Sequence, residues 1–158
     1  MRIAIIGATG MVGSRLVTEA RSRGHAITPI SRNPTDGLSV DITDTDQLER
    51  SISAADAVVL AVRPYTAFTT GVLHVTARIG APLLVVGGAG PLRVPDASGL
   101  VLDDPRFVAE EWKDIARASV VQLDECRNHP NSRWAYLSPL NRPGFVRGSQ
   151  VPRRRVPV

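Results

Sequence analysis

Short apolar runs alternate with longer amphipathic segments along most of the chain. The first run, Arg2 to Ile6, is rich in isoleucine and ends at Gly7, which is typical of a strand buried on both faces. The segment from Met11 to about Arg23 repeats its apolar side chains at helical spacing, and Gly24 follows it. The same reasoning predicts six strands, over residues 2–6, 25–30, 38–40, 57–62, 83–86 and 134–137, with helices near residues 11–23, 43–52, 68–79 and 107–127.

This alternation of strands and helices predicts an α/β fold, because parallel strands need a crossover connection that is usually a helix. We expect a doubly wound parallel sheet, the Rossmann fold, with about six strands in the order 3-2-1-4-5-6. Residues 1–140 form this predicted domain. Beyond Pro139 the periodic pattern stops, and residues 141–158 are predicted to be an irregular basic tail, so the fold is expected to be shortened at its carboxyl end.

The charge of the chain is concentrated in that tail. The sequence pI is about 10.2, but five arginines and no acidic residue lie in residues 141–158, which leaves 14 basic and 15 acidic residues elsewhere. The tail either contacts phosphate nonspecifically or is a solvated chain end, and we favour the second. The folded body is therefore not expected to bind nucleic acid specifically.

Composition narrows the classes of protein to which the chain can belong. With 158 residues and 43% hydrophobic content, the chain can form one globular core. No apolar run reaches the roughly 20 residues of a membrane span, so a cytoplasmic protein without membrane contact is expected. Cys126 is the single cysteine, and the three histidines are scattered, so no metal site is predicted.

The most informative motif is the segment GATGMVG, which follows the first strand and opens the first helix. Gly7 would make the tight turn, Gly10 would admit a phosphate close to the backbone, and Gly13 would allow close packing of helix and strand. Free backbone N–H groups and the helix dipole favour a pyrophosphate at this position, whereas a purely structural turn is the alternative. The residues of the candidate phosphate loop are Gly7, Thr9, Gly10, Met11, Val12 and Gly13.

The G-x-x-G-x-x-G spacing resembles that of the extended and atypical short-chain dehydrogenase/reductase families, in which this loop holds the pyrophosphate of NAD(P). An acidic residue after the second strand would bond the ribose of NAD, whereas arginine there can receive the 2′-phosphate of NADP. This sequence has Ser31 and Arg32 at that place. A guanidinium suits phosphate geometrically, so NADP is expected rather than NAD, with an exposed loop arginine as the alternative.

Two further segments complete the expected cofactor site. Asp41 and Ile42 resemble the acid and aliphatic pair that receives adenine in this superfamily, although Asp41 could instead cap a turn. Ala61, Val62 and Arg63 lie at the carboxyl end of the predicted fourth strand, at the edge where open α/β sheets bind ligands.

More narrowly, the chain resembles the NmrA-like branch and the biliverdin reductase B, or flavin reductase, type. The segments that carry this resemblance are IAIIGATGMVGSRLV, VDITD, DAVVLAV, PLLVVGGAG, the DP-x-F…EW segment over residues 104–112, and RWAYLSP, within residues 1–139. The resemblance implies two functions: NADPH-dependent reduction of a planar acceptor of the flavin, quinone or tetrapyrrole type, or cofactor sensing without turnover. A shortened, inactive relative is a third possibility.

Catalytic residues are hard to assign. The fifth strand ends in glycines rather than serine, and the following helix has Lys113 but no tyrosine, so the Tyr/Lys pair of the standard reductases is not expected. Arg63 and Tyr65 are the candidates near the nicotinamide, Arg63 for attracting an anionic substrate and Tyr65 for donating a proton. Both could equally be strand-end and loop residues. The biliverdin reductase B type also lacks the pair, which implies that a planar acceptor can take its proton from solvent.

The sequence leaves the partners of the protein open. A small-molecule acceptor is expected, but the sequence does not identify it. Either a monomer or a homodimer fits the sequence. Trp112 and Trp134 are predicted to be packing residues rather than stacking platforms.

Overall fold

The computed structural model describes residues 1–64, 68–94 and 98–139. The strands are β1 (Arg2–Ile6), β2 (Ala26–Ser31), β3 (Leu38–Ser39), β4 (Ala57–Leu60), β5 (Leu83–Val86) and β6 (Trp134–Leu137). The helices are α1 (Gly13–Ser22), α2 (Thr45–Ile52), α3 (Thr69–Arg78) and α4 (Lys113–Asn128). Short 3₁₀ turns cover Val101–Asp103 and Glu110–Trp112.

All six strands pair in parallel in the order β3-β2-β1-β4-β5-β6, which confirms the doubly wound Rossmann sheet. Parallel pairing brings the carboxyl ends of the strands to one edge. The GATGMVG loop after β1 therefore lies at the same edge as Arg63 after β4 and the glycines after β5. The direction in which successive strands are added to the sheet reverses between β1 and β4, the point where ligands bind in open sheets of this kind.

The core explains why these segments form strands. Side chains of the central strands, among them Ile6, Ile30, Val58 and Leu60, are almost fully buried in one large apolar cluster with α2 and α3. Near-continuous apolar sequence is what a sheet covered on both faces requires. A second, smaller cluster contains Val94, Val101 and Val108 and lies beyond the carboxyl end of β5.

The structure differs from the predicted elements mainly before α4. The predicted helix over residues 107–127 begins only at Lys113. The backbone N–H groups of Phe107 and Val108 donate to the carbonyl of Asp104, and Ala109 is extended. This turn directs Val108 into the second apolar cluster, so tertiary burial overrides the helical spacing of the segment. Within the described ranges, no helix has the length and apolar character needed to span a bilayer.

Candidate functional site

Gly7 forms the turn at the end of β1. Its φ of +88° lies in the left-handed region that favours glycine, and a Cβ there would lie 2.5 Å from the carbonyl oxygen of Ala61. The N–H groups of Gly7 and Ala8 both donate to the carbonyl of Ile30, at 2.8 and 3.0 Å. The turn therefore joins β1, β2 and β4 at the carboxyl edge of the sheet.

Gly13 and Gly10 differ in what surrounds them. A Cβ at Gly13 would lie 2.7 Å from the carbonyl carbon of Gly7 and closer still to its oxygen, so the helix packs directly on the turn. Gly10 is exposed, its φ is not positive, and a Cβ there would meet only the oxygens of Gly7 at 3.2 Å and Ala61 at 3.9 Å. A side chain at position 10 would thus need a shift of a few tenths of an ångström at the Gly7 carbonyl, far less than the overlap at position 13.

The start of α1 presents unpaired hydrogen-bond donors. No side chain caps the helix, whose N-cap residue is Val12. The N–H of Ser14 donates to Gly10 at 2.9 Å, and the N–H of Gly10 donates to Gly7 at 3.0 Å. Within the described residues, the backbone N–H groups of Thr9, Met11, Val12 and Gly13 have no hydrogen-bond acceptor. A helix start with this set of donors is suited to an anion.

Ser31 and Arg32, at the end of β2, have contrasting environments. Ser31 is 8% exposed, and its Oγ is buried without a hydrogen-bond partner among the described residues. Arg32 is exposed, and its carbonyl accepts a hydrogen bond from Ser39 Oγ at 2.9 Å. Arg32 is therefore accessible to a ligand from solvent, whereas the Ser31 hydroxyl is covered by protein.

Asp41 combines a turn with an exposed carboxylate. Oδ1 accepts from the N–H of Thr43 at 3.0 Å and from its hydroxyl at 2.8 Å. These two hydrogen bonds, helped by the charge of Arg32, hold the pKa of Asp41 below its ordinary range. Oδ1 thus has the turn-capping role, while Oδ2 has no hydrogen-bond partner in the described part of the chain. Ile42 is half-buried against the main core.

The residues after β4 lie beside the glycine turn. The N–H of Ala61 donates to Ile6 at 2.8 Å, and Val62 packs on the main core. Arg63 is exposed and makes no ion pair with a described residue. Tyr65, the other catalytic candidate, lies outside the described residues.

A buried polar network lies below the end of β5, and sequence reasoning missed it. The hydroxyl of Tyr136 in β6 accepts from the N–H of Gly88 at 3.4 Å. It lies 2.9 Å from the carbonyl oxygen of Ser119 and 3.2 Å from Oε1 of Gln122, either of which can accept its proton. Nε2 of Gln122 in turn donates to Thr69 at 3.3 Å. Burial raises the pKa of Tyr136 to about 12, so this phenol is protonated at neutral pH.

An apolar cleft of about 300 Å³ opens above this network. It lies between the loop that follows β5, the turns near residues 101–112, and the first half of α4. Trp112 lines it and is 54% exposed, so this residue is not the packing residue that the sequence predicted. Trp134 packs against the main core as expected. Lys113 at the start of α4 forms an ion pair with Glu110 at 2.6 Å.

The described residues fit a dinucleotide. The open position at Gly10, the unpaired N–H groups at the start of α1 and the orphaned Ser31 hydroxyl lie at the sheet edge where such a cofactor binds. Over the same described part of the chain, no three His, Cys, Asp or Glu side chains form a group that could hold a metal ion.

Known proteins share this architecture. Residues 3–77 match the NAD dependent epimerase/dehydratase family. The uncharacterized protein YwnB of Bacillus subtilis is 29% identical, over 88% of this chain and 71% of that protein. A crystal structure from Streptococcus pneumoniae, described as a "putative NADH-flavin reductase", is 30% identical, covers 88% of this chain and 71% of its own, and superimposes with a TM-score of 0.73. A "putative epimerase" from Bacteroides thetaiotaomicron is 26% identical, with 89% and 71% coverage and a TM-score of 0.77.

Fold, glycine loop and relatives together define an NAD(P)-binding protein with an oxidoreductase-like Rossmann fold. Within that class, the chain belongs to the atypical short-chain dehydrogenase/reductase family of NmrA-like type. The resemblance found in the sequence is thereby confirmed.

Proposed function

We propose that this protein is an NADPH-dependent reductase of a planar acceptor. The observation that carries the proposal is the set of four unpaired N–H groups at Thr9, Met11, Val12 and Gly13, beside an exposed Gly10. Donors in this arrangement favour a pyrophosphate, because the helix dipole and the N–H groups act on the same anion. The Streptococcus pneumoniae relative, described as a "putative NADH-flavin reductase", supports the reaction class but not the choice of NADPH over NADH.

The cofactor would extend along the carboxyl edge of the sheet. Arg32 would pair with the 2′-phosphate of NADP, and the unpaired Oδ2 of Asp41 would accept from the adenine amine with Ile42 along the ring. Ala61, Val62 and Arg63 would border the part of the cofactor beyond the glycine loop. The preference for NADP rests on Arg32 and on the lack of an acid at the end of β2.

The reaction would need no protein acid. When bound, a reduced nicotinamide supplies a hydride, and the acceptor gains it together with one proton from solvent. Tyr136 is an unsuitable donor, since its hydroxyl is engaged with Gly88, Ser119 and Gln122 and its pKa is raised to about 12. The task of the chain is then to orient cofactor and acceptor and to exclude water.

Titration of the purified protein with NADPH and NADH tests the first half of the proposal. Cofactor fluorescence reports binding, and the melting temperature rises when a ligand binds only the folded state. We expect NADPH to bind more tightly than NADH, followed by turnover with flavin, quinone or biliverdin-type acceptors. Binding of neither cofactor would reject the proposal.

A second candidate is a non-catalytic NADP sensor of NmrA type. It rests on the resemblance to the NmrA-like branch, and a cleft whose described lining residues include no titratable side chain is compatible with both candidates. Tight cofactor binding without turnover of any tested acceptor would select the sensor over the reductase.

A further inference from the structure

The apolar cleft beside β5 has the size and the setting of a ligand site. Its volume of about 300 Å³ lies at the lower end of the range for small-molecule pockets, roughly 300–1,000 Å³. A compound of two or three fused rings fits such a volume better than a four-ring tetrapyrrole. The lining residues are Gly88, Ala89, Gly90, Val101, Phe107, Val108, Trp112, Ile115, Ala116, Ser119 and Pro139.

The residues that line the cleft disfavour a charged ligand. None of those residues carries an ionisable side chain, and the hydroxyl of Ser119 already donates to the carbonyl of Ala116 at 2.6 Å. A charged ligand in this cleft would lose water without gaining a partner, which is costly. Trp112, at 54% exposure, presents a large aromatic surface against which a flat ring can stack.

Two residues that line the cleft have backbone N–H groups without an acceptor in the described part of the chain. The N–H of Gly88 is engaged by Tyr136, but those of Ala89 and Gly90 have no acceptor among the described residues. Gly90 is buried, and buried N–H groups are nearly always paired. A ring carbonyl oxygen would supply the missing acceptor, so an uncharged carbonyl-bearing ring suits the lining better than a hydrocarbon.

The position of the cleft connects it with the glycine loop. β5 is separated from β1 only by β4, so the strand ends that carry the two features are about 10 Å apart at the usual strand spacing. A dinucleotide that crosses the sheet edge above β1 toward β4 therefore extends toward the cleft.

We propose that this cleft is the acceptor site and that it binds an uncharged planar ring compound with a ring carbonyl, such as a quinone, against Trp112. The inference rests on the proposed reductase function for its chemistry. The quinone would gain a hydride from NADPH and a proton from solvent and leave as the hydroquinone, while NADPH is oxidised to NADP⁺. Binding itself needs no cofactor and can be measured separately.

The test uses the full chain with menadione, an uncharged two-ring quinone, and with naphthoquinone sulfonate, an anionic relative. Tryptophan emission and melting temperature are followed in Trp112→Phe, Trp112→Glu and a control, Val121→Glu. Val121 is an exposed residue of α4 outside the cleft, so the control adds the same charge to the neighbouring helix. Trp112→Phe keeps an aromatic surface but removes the indole signal.

We expect menadione to quench emission and raise the melting temperature, with the sulfonate bound at least about tenfold more weakly. Trp112→Phe should keep the stabilisation by menadione but lose most of the quenching, Trp112→Glu should lose both, and Val121→Glu should lose neither. Menadione binding that is equal in Trp112→Glu and in the control, or tighter binding of the sulfonate, would overturn the proposal. Trp112 emission that changes with protein concentration but not with menadione would indicate that the cleft is a contact between copies of the chain. That result would also overturn the proposal.

The proposed reductase function fails in a different way. Menadione bound in the cleft without NADPH oxidation would leave the cleft assignment intact and reject the reductase. Quinone turnover that Trp112→Glu does not alter would keep the reductase and reject the cleft as its acceptor site.

Discussion

Gly87 and Tyr136 are complementary in shape: a Cβ on Gly87 would overlap Cζ, Cε1 and the hydroxyl oxygen of the tyrosine. The N–H of Gly87 also donates to the carbonyl of Leu137 at 3.0 Å, which continues the pairing of β5 with β6. The tyrosine thus occupies the space that the missing side chain leaves. Through its hydroxyl it also holds Gly88, the first residue of the cleft.

We expect Gly87→Ala to lower the free energy of unfolding by more than a typical overpacking substitution, which costs about 1–3 kcal/mol, because the ring is held by the sheet and has little room to move away from the added methyl group. Tyr136→Phe should cost about 1–3 kcal/mol, since it leaves buried polar partners unsatisfied. Denaturant unfolding measures both changes.

The double variant Gly87→Ala, Tyr136→Ala, compared with the single variants Gly87→Ala and Tyr136→Ala, is the control for this relationship. Removal of the ring should make the alanine at position 87 much less costly, which appears as a coupling energy in a double-mutant cycle. Additive effects of the two substitutions would contradict the complementarity of Gly87 and Tyr136.

The turn at Asp41 predicts a pH dependence. Hydrogen bonds from Thr43 and the charge of Arg32 lower the pKa of Asp41 in the folded state. A carboxyl with a lowered folded pKa stabilises the fold above its unfolded pKa, near 4, and this contribution is lost as the pH falls through the folded value. Asp41→Asn keeps an oxygen acceptor for Thr43 but cannot ionise, so its stability should fall less between about pH 5 and pH 2 than that of the wild type.

The wild type carries other carboxyls with lowered pKa, including Asp56 beside Arg2 and Asp104 beside Arg106. Only the difference between wild type and Asp41→Asn is therefore informative. Parallel stability curves over this pH range would show that Asp41 does not contribute in this way.

The sequence predicted the sheet well because each strand is a short apolar run bounded by glycine or polar residues. β1, β5 and β6 have the predicted limits, and the others differ by one or two residues. The turn role of Gly7 and the close packing at Gly13 were also predictable, since both follow from the position of the loop between β1 and α1. Whether the loop residues bind a cofactor stays a prediction.

The parts that were not predicted depend on contacts between distant segments. The hydroxyl of Tyr136 meets Gly88, Ser119 and Gln122, which lie 48, 17 and 14 positions away in the sequence. Nothing in the local pattern WAYL distinguishes this tyrosine from an ordinary strand residue. A glycine pair after β5 with a tyrosine in the neighbouring strand was the available signal. The exposure of Trp112 likewise depends on the turn that delays the start of α4.

Cofactor preference should respond to Arg32. Arg32→Asp replaces an exposed guanidinium by an acid near Asp41, and we expect it to weaken NADPH binding by about tenfold or more, since hydrogen bonds to charged groups contribute about 1.5–3 kcal/mol. NADH binding should fall less or improve, because an acid can bond the ribose hydroxyls. Fluorescence titration with both cofactors gives the ratio of the NADPH affinity to the NADH affinity.

Arg133→Asp is the charge-matched control for that substitution. Arg133 is exposed and precedes β6, at the amino edge of the sheet and away from the carboxyl ends. It should leave the NADPH/NADH ratio unchanged. An unchanged ratio in Arg32→Asp as well would show that Arg32 does not read the 2′-phosphate.

Substitutions at Gly10 and Gly13 in the glycine loop should have opposite effects: one should weaken cofactor binding, and the other should destabilise the fold. Gly13→Ala places a methyl group on the carbonyl of Gly7 and should destabilise the fold by at least about 1–3 kcal/mol. Gly10→Ala meets its nearest protein atom, the Gly7 oxygen, at 3.2 Å, a tight contact that a shift of a few tenths of an ångström relieves, so stability should fall by less than about 1 kcal/mol. If the cofactor approaches the backbone at Gly10, the same methyl group should weaken NADPH binding by about tenfold or more.

Thermal unfolding without cofactor and NADPH titration of the folded proteins separate the two effects. Gly10→Val extends the series with a bulkier side chain and should lower the affinity further. A Gly10→Ala protein that binds NADPH as the wild type does would place the pyrophosphate elsewhere. Glycine at position 10 would then serve the turn alone, because a cofactor would require glycine there only if it approached the backbone too closely to leave room for a side chain.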